Sequence, residues 1–167
     1  EQIRNYLRIQ KVRYDEKLRY AIDLEDALLD YQIPKLVLQP LVENAIKHGV
    51  DPSSGAGTVS IAGWVVEDGC AVVEVENDAP VSHARVASMR AALGAHRSES
   101  EPGAERRTGF GLPNVHERLR LTFGPEYGLR IKPTPAGGIC VRMVVPRSAR
   151  GIAGSPGVTN ARQRSDR

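Results

Sequence analysis

The sequence predicts an α+β fold: a two-layer α/β sandwich in which helices cover one face of a mixed, mostly antiparallel sheet of about five strands. Three observations predict it. Strand-like runs pair as hairpins at residues 58–76 and 129–145, each across a glycine-containing turn. Helical runs do not alternate one for one with strands, which does not fit a parallel βαβ layout. Apolar residues make up 41% of the 167, enough for one core, and with only 5% aromatic residues aliphatics must fill it.

Residues 1–18 read as a helix, because Ile3, Tyr6, Leu7, Tyr14 and Leu18 recur at helical spacing between charged residues. Tyr20, Ile22 and Leu24 then alternate with Ala21, Asp23 and Glu25, as in a strand, and residues 26–34 connect onward. A second helix runs over 35–48, with Pro40 near its first turn, and stops at Gly49, where glycine tolerates positive φ. Residues 51–55 form a loop, 58–66 a strand, 67–69 a tight turn and 70–76 its hairpin partner, in which Trp64 is a packing residue. Ser82 is placed to cap a helix reaching Leu93, and residues 94–108 look mobile. A long insert of this kind is usually functional, often a lid, so 78–108 is read as one. A helix at 112–122 and a hairpin of 129–131 with 139–145 complete two or three helices against the sheet.

The net charge of +3 misleads. Residues 147–167 hold five arginines and one aspartate, a net +4, which leaves the other 146 residues at −1. The body is therefore no basic nucleic-acid platform, and the tail has the composition of a disordered segment. No run of about 18 apolar residues exists, which excludes a membrane-spanning helix. The chain starts without methionine, without a signal peptide's apolar region and mid-helix in character, and so reads as a piece of a longer protein. Cys70 and Cys140 read as reduced, packed thiols of a cytosolic protein, and no Cys/His cluster has metal-ligand spacing.

Two segments carry the chemistry. On the second helix Leu38, Leu41, Val42 and Ala45 share one face, while Asn44, Lys47 and His48 fall at i, i+3 and i+4 on another. A neutral amide oxygen suits magnesium, which takes oxygen ligands and keeps waters and phosphate oxygens. Lys47 can meet a phosphate as a point charge, and His48 can donate to the same group. About sixty residues on, Gly109-Phe110-Gly111-Leu112 opens a helix. Its glycines let backbone approach an anion, and the helix start offers free N–H groups. Alone, the first segment is also what a plain amphipathic helix would show, and the second what a flexible turn would. A third, weaker segment, Asn77-Asp78 at a strand end, can accept from an exocyclic amine and so read adenine. His83 and His96 read as solvated and His116 as a surface residue. Glu117 and Arg118 pair locally or cap their helix, or Arg118 faces an interdomain surface.

Residues 36–49, LVLQPLVENAIKHG, closely resemble the N box of LytS/YehU-like sensor histidine kinases. Residues 109–124, GFGLPNVHERLRLTFG, resemble their second glycine box, residues 1–20 the end of their dimerisation region, and residues 136–146 their closing hairpin. The resemblance covers about residues 1–146 and implies the Bergerat ATP-binding sandwich of the GHKL superfamily. It implies three parts: 1–19 as the end of a dimerisation or linker helix, 20–146 as the ATPase domain and 147–167 as tail. It also implies ATP and Mg²⁺, with Asn44 as the metal ligand, Lys47 as a phosphate contact, and Gly109 and Gly111 at the hinge of the ATP lid. Glu43, beside the metal ligand, is a candidate to polarise the reaction. The implied reaction moves the γ-phosphoryl group to a histidine on a dimerisation domain and then to a response regulator. The implied parent is a homodimeric, membrane-anchored protein whose catalytic domain is cytoplasmic.

Two departures stand out. The usual Asp-x-Gly-x-Gly of the first glycine box reads Asn77-Asp78-Ala79-Pro80-Val81, which puts Asn77 at the adenine-reading position, or Asp78 by a shift of one. The first histidine is His48, inside the N box, so the chain is expected to bind nucleotide without phosphorylating itself. Two other readings compete: a degenerate GHKL module that works by protein contact, and an anti-sigma-factor serine kinase.

Overall fold

The computed structural model describes residues 1–51, 55–94 and 111–147. In chain order it contains α1 (Gln2–Tyr14), β1 (Leu18–Leu24), α2 (Leu38–Gly49), β2 (Gly57–Val65), β3 (Ala71–Asn77), α3 (His83–Gly94), α4 (Gly111–Phe123), β4 (Gly128–Pro133) and β5 (Ile139–Val145). The strands form one sheet in the order β1-β2-β3-β5-β4. β1 runs parallel to β2, and every other neighbouring pair is antiparallel. This is the mixed, mostly antiparallel sheet of an α+β sandwich.

Alternation decides which face each strand buries. Val59 and Ile61 of β2, Val73 and Val75 of β3, and Val141, Met143 and Val145 of β5 point into the core. They meet Leu41, Val42, Ala45 and Ile46 of α2 and Leu112, Val115, Leu119 and Phe123 of α4. α1 rests on β1 and α2 through buried Leu7. The opposite face carries Glu74, which accepts from Arg142 Nε at 2.6 Å and pairs with Lys132 Nζ at 2.9 Å. The Arg142 guanidinium also lies 5.8 Å from the centre of the Trp64 ring.

Several boundaries and roles differ from the sequence reading. The first helix ends at Tyr14 rather than 18, and β1 starts at Leu18. Gly49 closes α2 without a positive φ. A Cβ there would stand 2.6 Å from Asn77 Cβ, so glycine is required by close approach rather than by backbone freedom. His116 is no surface residue: its Nδ1 accepts from the Leu129 N–H at 3.0 Å and ties α4 to β4. Ser82 does cap α3, its Oγ accepting from the Arg85 N–H at 3.2 Å. Both cysteines are free thiols, Cys140 buried and Cys70 half-buried. Among the described residues no helix is long and apolar enough to cross a membrane. Most of the segment read as mobile and most of the arginine-rich tail lie outside the described residues.

Candidate functional site

α2 supplies the floor of the site. Leu41, Val42, Ala45 and Ile46 bury its inner stripe, which forces residues 43, 44, 47 and 48 towards the outside. Glu43 and Lys47 are exposed, and Asn44 and His48 are half-buried. All four line a cavity of about 430 Å³. Gly111, Leu112 and Pro113, the first residues of α4, line it too, and α3 closes another side with Arg85, Ser88, Met89 and Leu93. α4 thus meets the cavity with its N-terminal end, where the helix dipole favours an anion. Leu112 does double duty, because it is buried with the core and also lines the cavity.

The electrostatics favour an anion. Burial lowers the His48 imidazole below its usual range, and the neighbouring charges of Arg85 and Lys47 push the same way against the smaller, opposite pull of Asp51. Glu43 is the one carboxylate on the described wall, and its Oε1 accepts from the Gln39 amide at 2.8 Å.

Asn77 lies beside Gly49, the last residue of α2, and is 5% exposed. Its Oδ1 is buried without a hydrogen-bond partner, the one such side-chain atom among the described residues. A buried amide oxygen left unpaired costs free energy, so it marks a position where a ligand donor fits. Asp78 is engaged elsewhere: its Oδ1 accepts from the Thr58 N–H at 2.8 Å. The cavity thus offers an amide oxygen, cations and a helix start, a set that suits a magnesium–phosphate, and the unsatisfied Asn77 acceptor lies outside its wall.

The structure therefore brings Glu43, Asn44, Lys47, His48, Gly111 and Leu112 to one cavity. Asn77 is not on its wall and stands past the last turn of α2. Gly109 and Phe110 lie outside the described residues. The sequence reading missed Arg85, Ser88, Met89 and Leu93, for α3 has too weak an apolar stripe to show which face it turns inward. A larger, mainly apolar cavity of about 540 Å³ lies under β1 and the start of α2, lined by Ile22, Leu28, Tyr31 and Val42, away from Asn44.

A helix-and-sheet sandwich with a cavity of this kind between its helices is an arrangement that can hold a nucleotide. Residues 30–149 match the model of the histidine kinase-, DNA gyrase B- and HSP90-like ATPase family, and the chain belongs to that family. It is 34% identical over 144 residues to the sensor histidine kinase YesM of Bacillus subtilis, a match covering 86% of this chain and 22% of the relative. It is 28% identical over 146 residues to the sensor protein LytS of Oceanobacillus iheyensis, covering 87% and 24%. The chain thus spans about a fifth to a quarter of these relatives. The fold resembles that of histidine kinase ThkA in complex with response regulator TrrA, with a TM-score of 0.58 at 9% identity over 87% of this chain and 39% of that one.

Proposed function

We propose that the chain is the catalytic, ATP-binding part of a sensor histidine kinase. It would move the γ-phosphoryl group of ATP to a histidine on a dimerisation domain, and from there to an aspartate of a response regulator. The observation that carries this reading is the convergence of Asn44, Lys47 and His48 with the start of α4 on one cavity.

Each residue has a task set by its chemistry. The Asn44 amide oxygen takes one place on a hard divalent cation. Mg²⁺, when bound, neutralises charge that develops on the phosphate oxygens. Lys47 meets a phosphate as a point charge, and His48 donates an N–H to the same group. The Gly111 and Leu112 N–H groups hold phosphate oxygens at the helix start, with Gly109 and Phe110 leading into it. Asn77 Oδ1 accepts from the adenine amine, and Asp78, held to β2, does not compete for it. Glu43, next to Asn44 in the chain, would polarise the attacking group. In the transfer the bond from the γ-phosphorus to the bridging oxygen breaks, a nitrogen–phosphorus bond forms, and ADP leaves.

The exposed apolar pair Ile9 and Val12 on α1, 66% and 86% exposed, supports reading residues 1–19 as the lead-in from a dimerisation region. The parent protein would be a homodimer anchored in a membrane, with this domain on the cytoplasmic side.

Titration calorimetry with a non-hydrolysable ATP analogue, with and without Mg²⁺, tests the reading. The chain should bind the analogue more tightly with Mg²⁺. Asn44→Ala should weaken that binding about ten-fold, the scale of one contact to a charged group, and abolish the Mg²⁺ dependence. Equal affinity and equal Mg²⁺ dependence in the variant would refute it.

A further inference from the structure

α3 faces α2 across the cavity with Arg85, Ser88 and Ala92, which share one helical stripe. The neighbouring stripe is what fastens the helix. Val86 is buried, Met89 and Leu93 are half-buried, and Arg90 Nε donates to the Ile131 carbonyl at 2.7 Å. With α3 fixed in this way, Arg85 stands where its charge is felt by His48.

Among the described residues neither Arg85 nor Lys47 makes a salt bridge; the cations that do are Lys132, Arg142 and Arg147. Arg85 and Lys47 thus line one cavity from facing helices, and Glu43, the one carboxylate among its described lining residues, accepts a hydrogen bond from Gln39. Two cations facing each other across a cavity with a single carboxylate repel, and a polyanion seated between them reverses the sign of that interaction. A guanidinium also binds phosphate in a planar, two-pronged geometry that a lysine cannot reproduce.

We propose that Arg85 is a phosphate-contacting residue, so that the triphosphate is gripped from α3 as well as from α2 and the start of α4. The proposal rests on the nucleotide reading above. It adds a residue that no motif marks and gives α3 a role beyond covering the sheet.

Affinities of wild type, Arg85→Ala, Arg85→Lys and Arg90→Ala for a non-hydrolysable ATP analogue with Mg²⁺ and for adenosine test it. Thermal unfolding of each variant is recorded alongside. Arg85→Ala should bind the triphosphate about ten-fold or more weakly. Its adenosine affinity should stay within about two-fold, Arg85→Lys should recover part of the loss, and the unfolding temperature should hold. Arg90→Ala should lower the unfolding temperature yet leave the ratio of the two affinities in place. If wild type binds the triphosphate and Arg85→Ala binds it equally well, Arg85 is not a contact while the nucleotide reading stands. A parallel loss of both ligands in Arg85→Ala would make its role structural and overturn the proposal. If wild type binds neither ligand, the nucleotide reading itself fails.

Discussion

Gly49 and Asn77 show how tightly single residues constrain this site. The end of α2 and the end of β3 approach so closely that a Cβ on Gly49 would press on Asn77. Gly138 meets the backbone of Asn77 from β5's side in the same manner. Gly49→Ala should therefore cost about 1–3 kcal/mol, the range for overpacking a close contact, and should loosen nucleotide binding by displacing Asn77. Chemical denaturation measures the first effect, and an unchanged midpoint would contradict the packing account. Asn44, Lys47 and His48 were legible in the sequence because helical spacing alone places them together. The reason for Gly49 was not, because its neighbour is remote in the chain and only the fold joins them. Arg85 was hidden for the same cause: nothing local to α3 tells which stripe faces α2.

At the scale of elements, α4 carries the least expected contact. His116 Nδ1 accepts from the Leu129 N–H, so the ring must be neutral to hold β4. Burial, and after it Arg120, pushes the His116 imidazole below its ordinary value of 6.5. The sign follows from linkage: the unfolded chain takes up the proton first as pH falls. Stability from this contact is whole above 6.5 and declines as pH drops from there to the folded value. His48 is lowered too, by burial first, and adds a slope of the same sign. His116→Asn keeps an acceptor near Nδ1 and removes the titration, so its unfolding free energy should fall less between pH 7 and pH 5 than that of wild type. Equal slopes in denaturation curves would contradict the latch. The sequence marked α4 by its period and by the glycines before it, but a histidine on a polar stripe looks the same whether it meets solvent or a strand.

For the whole molecule, the two hairpins and the amphipathic α2 were enough to infer a two-layer α+β sandwich. The strand order was not legible. β1 reaches β2 only by crossing through α2, and β5 inserts between β3 and β4, so β3 and β5 are neighbours in the sheet without being consecutive strands in the chain. On this sheet α2, α3 and the start of α4 come together, and so make one cavity from three segments distant in the chain, with the end of β3 beside α2. The central claim is that this site holds a magnesium–nucleotide through Asn44. A crystal structure of the chain grown with Mg²⁺ and a non-hydrolysable ATP analogue tests it most directly. The account predicts Asn44 Oδ1 about 2.1 Å from the metal, with the phosphates between α2 and the start of α4. A nucleotide bound elsewhere, or Asn44 turned away from the ion, would contradict it.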